Sequence, residues 1–317
     1  MKTITENSVK QILSDDKAVL NAVENVFYEY AKGDAVMVPK TYLEVAKGDD
    51  YRAMPSYSKK YACVKWIADY TSNKNKGLPT TQAIIVLNDK ASGNPLAIIE
   101  ANYITKLRTA AATALATREL VKDKHIKKIS FIGCGEQTLP HINFLTKVLG
   151  KIDEIALYDS DEERAHLLAG KRSHIQVSRS LEECVEGSRV VTTLTPSRKS
   201  YLSRSMLPEV CHINAVGADA VGKRELCEDI FKDPSFFLVC DDYNQAKHSG
   251  ESQYLQWASR KSPLSLCDLL SSVWYRRGAG QEKLSIYDST GLAIEDLALA
   301  EYVFNATLAQ LGRASDL

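Results

Sequence analysis

Lys128-Ile129-Ser130-Phe131-Ile132-Gly133-Cys134-Gly135-Glu136-Gln137 is the stretch whose reading decides the fold. A short apolar strand runs into a glycine turn, and a helix is expected near 137–149. Gly133 allows the tight turn, and Gly135 lets the backbone come close to a pyrophosphate. The helix N-terminus then offers N–H groups to that anion. Thr138 stands where the fingerprint has its third glycine, so looser helix–strand packing is expected there. Pro140 falls in the first helical turn, where no N–H is required. Asp159 follows roughly two dozen residues past Gly135, at the end of a second strand, Ile155–Tyr158. A carboxylate there can accept both ribose hydroxyls of NAD and would repel the 2′-phosphate of NADP. Asp161, Glu162 and Glu163 add to that repulsion. Asp159 is equally read as the N-cap of the following helix.

Outward from this stretch, strands and helices alternate. Helix 161–170, strand Ile175–Val177, helix 180–186 and strands Val190–Leu194, Cys211–Val216 and Phe236–Cys240 have the spacing of βαβ units. The N-terminal part differs. Residues 8–32 read as one amphipathic helix, followed by extended stretches at Thr41–Val45, Ala62–Ala68, Thr81–Leu87 and Leu96–Glu100. An alanine- and threonine-rich helix, 104–121, leads into the glycine region, and helix 293–310 closes the chain. The expected fold class is α/β: a Rossmann-type doubly wound parallel sheet beside an α+β part to which the last helix returns.

The 317 residues include 40 basic and 40 acidic side chains, which argues against a general polyanion binder such as a nucleic-acid protein. No stretch has the uninterrupted apolar length of a membrane span. Seven cysteines are scattered without CxxC pairs, and no His/Cys cluster has zinc-ligand spacing, so a cytoplasmic protein without a metal is expected.

Candidate chemistry outside the turn rests on cations in apolar sequence. Arg52 precedes Ala53-Met54-Pro55, Lys65 lies inside Cys63-Val64-Lys65-Trp66-Ile67, and Arg108 precedes Thr109-Ala110-Ala111. Burying a cation without a partner is costly, so each is either exposed or has a reason such as a substrate carboxylate. Lys65 should point to the opposite face from Val64 and Trp66. Lys40, after Val38-Pro39, is a fourth candidate. Asp219 comes just past a strand end in Asn214-Ala215-Val216-Gly217-Ala218-Asp219, where it is either a general base or a turn residue. The cluster Lys247-His248-Ser249-Gly250-Glu251 carries no claim, and the cysteines read as small packing residues.

Taken together, Arg52-Ala53-Met54-Pro55, Val64-Lys65-Trp66, Gly77-Leu78-Pro79-Thr80, Leu107-Arg108-Thr109, the glycine turn, Asn214–Asp219 with Gly222-Lys223-Arg224-Glu225, and Asp288-Ser289-Thr290-Gly291-Leu292-Ala293-Ile294-Glu295-Asp296 resemble the ornithine cyclodeaminase/μ-crystallin family. The resemblance implies a homodimer. Residues 1–117 with 291–317 would form its substrate-binding and dimerisation domain, and residues 118–290 its NAD-binding domain. It implies that Lys40, Arg52, Lys65 and Arg108 bind the substrate carboxylate and that Lys65 and Asp219 are catalytic. The implied dinucleotide contacts are Thr80, Arg108, Gly133, Gly135, Glu136, Gln137, Asp159, Thr195, Ser197, Val216, Gly217, Lys223 and Ser289.

The shared chemistry is hydride exchange between nicotinamide and the α-carbon of a small amino acid or its imine. Val38–Glu44, Val64–Ile67 and Gln245–Glu251 look most like the archaeal-type alanine dehydrogenase branch. Tyr51–Ala68 contains no acid, which favours a substrate with a small or neutral side chain over a cationic one. The alternatives implied are an ornithine or lysine cyclodeaminase and a non-enzymatic binding protein of the μ-crystallin kind.

Overall fold

The computed structural model describes residues 1–170, 172, 174–255, 263–271 and 283–315. The chain divides into two units: Met1–Thr109 with Leu292–Leu317, and Ala110–Gly291.

In the first unit the elements run β1 (Lys2–Ile4), α1 (Glu6–Ile12), α2 (Asp16–Ala31), β2 (Val36–Met37), β3 (Thr41–Ala46), β4 (Asp49–Tyr57), β5 (Tyr61–Tyr70), β6 (Thr81–Asp89), β7 (Pro95–Glu100) and the start of α3 (Asn102–Leu120). The strands form one sheet in the order β1-β7-β6-β5-β4-β2, with β3 also paired to β4. β1 runs parallel to β7 and the other pairs are antiparallel. Side chains alternate across this sheet. Cys63, Lys65 and Ile67 of β5 join Ala83, Ile85 and Leu87 of β6 on the buried face. Two expectations need correction. Residues 8–32 form two helices, because Leu13 ends α1 with an N–H bond to Val9 and Asp15 caps α2 by accepting from Lys17 N. Val9, Leu13 and Val19 are all buried across the break, so the apolar pattern runs on through it. Residues 49–57 form a nine-residue strand that was not expected, with Arg52 on its buried face.

The second unit holds the rest of α3, then β8 (His125–Ile132), α4 (Thr138–Val148), β9 (Lys151–Tyr158), α5 (Glu162–Ala169), β10 (Ile175–Val177), α6 (Leu181–Val185), β11 (Val190–Thr193), β12 (Cys211–Ala215), β13 (Phe236–Cys240), α7 (Tyr243–Ser249), β14 (Leu264–Ser265), α8 (Leu266–Leu270) and β15 (Leu284–Asp288). These eight strands pair in the order β10-β9-β8-β11-β12-β15-β13-β14, every pair parallel. Strands covered on both faces need continuous apolar runs, and β11, β12 and β15 are buried at every position. The strand order reverses between β8 and β11, so the crevice outside their carboxyl ends is where this architecture binds ligands. The chain returns to the first unit as α9 (Ala293–Ser315), which packs on α2 and on β4 and β5.

Candidate active site

In the first unit the expected cations are buried, not exposed. Lys65 is fully buried and its ammonium lies 2.7 Å from Asp296 Oδ2. Arg108, one turn beyond Ile104 on α3, donates through Nε to Asp296 Oδ1 at 3.2 Å and through Nη1 to Glu295 Oε2 at 3.0 Å. Two acids in the first turn of α9 therefore hold two cations from β5 and α3. Burial, then the nearby charge of Arg108, brings the Lys65 amine down to about 7, and Lys40 pushes the same way. Lys40 is itself buried. A carboxylate arriving here would meet an electropositive, desolvated group able to accept or lose a proton near neutral pH.

Arg52 is placed differently. Its Nε donates to Asp50 at 2.7 Å and its Nη2 to Asp69 at 2.6 Å, and the ring of Tyr42 lies 5.4 Å from its guanidinium carbon. The acid-free stretch Tyr51–Ala68 is thus bracketed by two carboxylates that both reach Arg52, and the argument from missing acids loses its footing. Thr80 is half-buried just before β6, its carbonyl accepting from Tyr70 N.

Glu295 and Asp296 are the residues that sequence reasoning did not assign. Acids at a helix start read as ordinary complements of the helix dipole. Both are fully buried, and only that packing sets them apart.

In the second unit the glycine turn has the geometry of an anion cradle. Gly133 has φ +95°, and a Cβ there would lie 2.9 Å from Leu194 O. At Gly135 a Cβ would meet nothing within 4 Å, which leaves the backbone open to an approaching group. α4 starts without a side-chain cap, although Thr138 N already donates to Gly135 O at 3.2 Å and Pro140 brings no N–H. These features fit a dinucleotide pyrophosphate. Thr138 does not loosen the packing as expected: it is fully buried and its hydroxyl donates to Gly133 O at 2.7 Å.

Asp159 accepts from Cys134 N at 2.7 Å and from Asp161 N at 2.9 Å, joining the end of β9 to the glycine turn. It is not the cap of α5; that position belongs to Asp161. Across the crevice, the loops after β11 and β12 carry Thr195, Ser197, Val216, Gly217, Asp219 and Lys223. Asp219 is half-buried and pairs with Lys223 at 2.7 Å. Gly217 can only be glycine, since a Cβ would lie 2.2 Å from Thr195 O. Ser289 is buried at the end of β15, its N–H on Ala215 O.

A doubly wound parallel sheet with an open glycine turn and an acid at the end of the next strand defines a dinucleotide-binding protein. The chain belongs to the ornithine cyclodeaminase/mu-crystallin family, whose model matches residues 2–310. It is 39% identical over 315 residues to the alanine dehydrogenase of Archaeoglobus fulgidus, covering 97% of this chain and 95% of that one. An archaeal alanine dehydrogenase dimer with bound NAD superposes with a TM-score of 0.87 at 34% identity, over 98% and 97% of the two chains. The Thermococcus litoralis Δ1-pyrroline-2-carboxylate reductase in complex with NADH and L-proline does so with a TM-score of 0.88 at 27% identity, over 98% of each.

Proposed function

We propose that the protein is an NAD(H)-dependent oxidoreductase that exchanges hydride with the α-carbon of a small L-amino acid or its imine. The observation that carries this reading is the full-length likeness to alanine dehydrogenase, joined to buried cations at Lys65 and Arg108 and an open glycine turn at Gly133–Gly135. Bound NAD supplies the hydride acceptor. Gly133, Gly135, Glu136 and Gln137 hold its pyrophosphate, and Asp159 takes the adenosine ribose. Thr80, Arg108, Thr195, Ser197, Val216, Gly217, Lys223 and Ser289 are the remaining dinucleotide contacts in this reading. Lys40, Arg52, Lys65 and Arg108 bind the substrate carboxylate, where a bidentate guanidinium gives orientation as well as affinity.

Asp219 takes the proton released when the α-amine becomes an imine, and returns it in the reverse direction. Lys65, poised near neutral pH, lies ready to move a proton at the substrate carboxyl end. Water adds to the imine to give the keto acid and ammonia. The test is incubation of the purified protein with NAD⁺ and either L-alanine or L-ornithine. Net NADH with L-alanine supports the reading. Proline and ammonia from L-ornithine without net NADH would replace it with cyclodeamination, the other chemistry named in the family.

A homodimer is part of this proposal. The face of the first sheet opposite Lys65 is apolar and open: Tyr51 stacks on Trp66 at 5.1 Å, and Trp66 and Ile84 are 40% and 41% exposed. Leu43, opposite Tyr51, extends the patch. Such a face marks a protein interface, and a second copy is the occupant that the archaeal dimer suggests. The seven cysteines are all free thiols, which suits a reducing cytoplasm. Among the described residues no helix is long and apolar enough to cross a membrane.

A further inference from the structure

Glu225 lies between β12 and β13 and is fully buried, and neutral hydroxyl and backbone N–H donors hold its carboxyl. Its two oxygens gather five donors. Oε2 accepts from Thr193 Oγ1 at 2.6 Å and from Gly217 N at 2.9 Å. Oε1 accepts from Thr195 N at 2.8 Å, Thr195 Oγ1 at 2.7 Å and Tyr201 OH at 2.8 Å. These donors come from the ends of two adjacent parallel strands, β11 and β12, and from the loop between them. The backbone adds to the same seam: Arg224 N donates to Ser197 O at 2.8 Å, and Tyr201 N to Glu225 O at 2.9 Å.

We infer that Glu225 is a positioning residue that staples the loop 195–202 to the loop 217–225 and so fixes where Asp219 and Lys223 stand on the nucleotide unit. A carboxylate is the one side chain that can accept on both oxygens at once. Glutamine would turn an NH₂ towards N–H and O–H donors that already point inward. Burial raises the Glu225 carboxyl above its ordinary range, and the hydroxyls of Thr193, Thr195 and Tyr201 draw it back towards the charged form. The Tyr201 phenol stays protonated, raised first by burial and then by the Glu225 charge, and so keeps donating. The staple is itself anchored from behind. Glu251 Oε1 accepts from Glu225 N at 2.5 Å and Leu226 N at 3.2 Å. Gln253 accepts from Gly222 N at 2.9 Å and donates to Gly250 O at 2.7 Å, tying the Asp219 loop to the turn after α7.

The inference rests on the proposed dinucleotide reaction, and its test separates the two. Amide hydrogen exchange without cofactor reads the staple alone. In folded Glu225→Gln, the N–H groups of Thr195 and Gly217 exchange at least tenfold faster than in the parent. Exchange at parental rates would overturn the staple whatever the protein binds. Kinetics then reads its purpose. Thr193→Val removes one donor with little change of shape, and serves also if Glu225→Gln does not fold. It lowers kcat about tenfold while leaving KM for the amino acid within about twofold, and Thr193→Ser restores kcat. A Thr193→Val enzyme with parental kcat, or a loss that Thr193→Ser does not repair, would also overturn it. If the parent binds no NADH, the dinucleotide reading fails, and the exchange rates still decide the staple.

Discussion

At the scale of single residues, the acids of the nucleotide unit divide the work. Asp219, half-buried with Lys223 beside it, is the proposed proton acceptor. Asp219→Asn removes that proton acceptor and is expected to lower kcat by about 10²–10⁴, the usual contribution of a positioned acid–base group. NADH titrated by its fluorescence should bind nearly as before; an Asn enzyme with parental turnover would take Asp219 out of the mechanism. Asp159 is the proposed ribose contact at the other end of the cofactor. Asp159→Ala loses a hydrogen bond to a charged group, about 1.5–3 kcal/mol, and should weaken NADH by about tenfold or more. NADPH should lose less, because its 2′-phosphate no longer meets a carboxylate. An equal loss for both nucleotides would contradict the ribose role.

At the scale of elements, the turn Glu251–Tyr254 after α7 rests on carboxylates that stay neutral into the neutral range. Burial, with the nearby charges of Glu225 and Asp288, raises Glu251 from the ordinary 4.5 to about 9. Asp288, which accepts from Glu251 N and Ser252 N, is raised by burial to about 7. A carboxyl neutral in the fold but ionised when unfolded favours the folded state below its unfolded value. That advantage is lost as pH climbs towards the folded value. Above pH 7 Glu251 goes on losing stability, while Lys65, lowered to about 7, gains it as pH rises, so the two offset each other between pH 7 and 9. Glu251→Gln leaves the Lys65 gain unopposed, so its melting temperature should rise between pH 7 and 9 relative to the parent's, and a variant with the parent's profile would show that another group titrates there.

The elements also show what was readable beforehand. Parallel strands announce themselves by apolar runs such as Ile129–Ile132, and Ile175–Val177 and Phe236–Cys240 lie where the pattern puts them. β4 was hidden, because Asp49, Asp50, Arg52 and Pro55 dilute its alternation, and Arg52 is matched by Asp50 beside it and by Asp69 across the sheet. Glu225 was hidden for a like reason: five donors from distant loops leave no mark on local sequence. Lys65 was legible because a lysine sits where the period-two pattern demands an apolar residue. Its partner Asp296 was not, since only tertiary packing joins β5 to α9.

At the scale of the molecule, the open face of the first sheet predicts association. Trp66→Glu places a charge beside Tyr51 and opposite Ile84, and should turn a dimer into a monomer in light scattering with the folded spectrum kept. A dimer that survives this change lies on another surface. The order of synthesis brings a different demand. The first unit is interrupted: its last helix, α9, is made after the whole nucleotide unit. Arg108 and its acceptor Asp296 lie 188 residues apart, and at roughly 5–20 residues per second the arginine waits about 10–40 s for its counter-charge. Until α9 emerges, Lys65 and Arg108 lack the acids that hold them in the fold. The ribosome therefore delivers Asp296 only after the whole of Ala110–Gly291, and the first unit can pair its buried cations only once α9 has emerged.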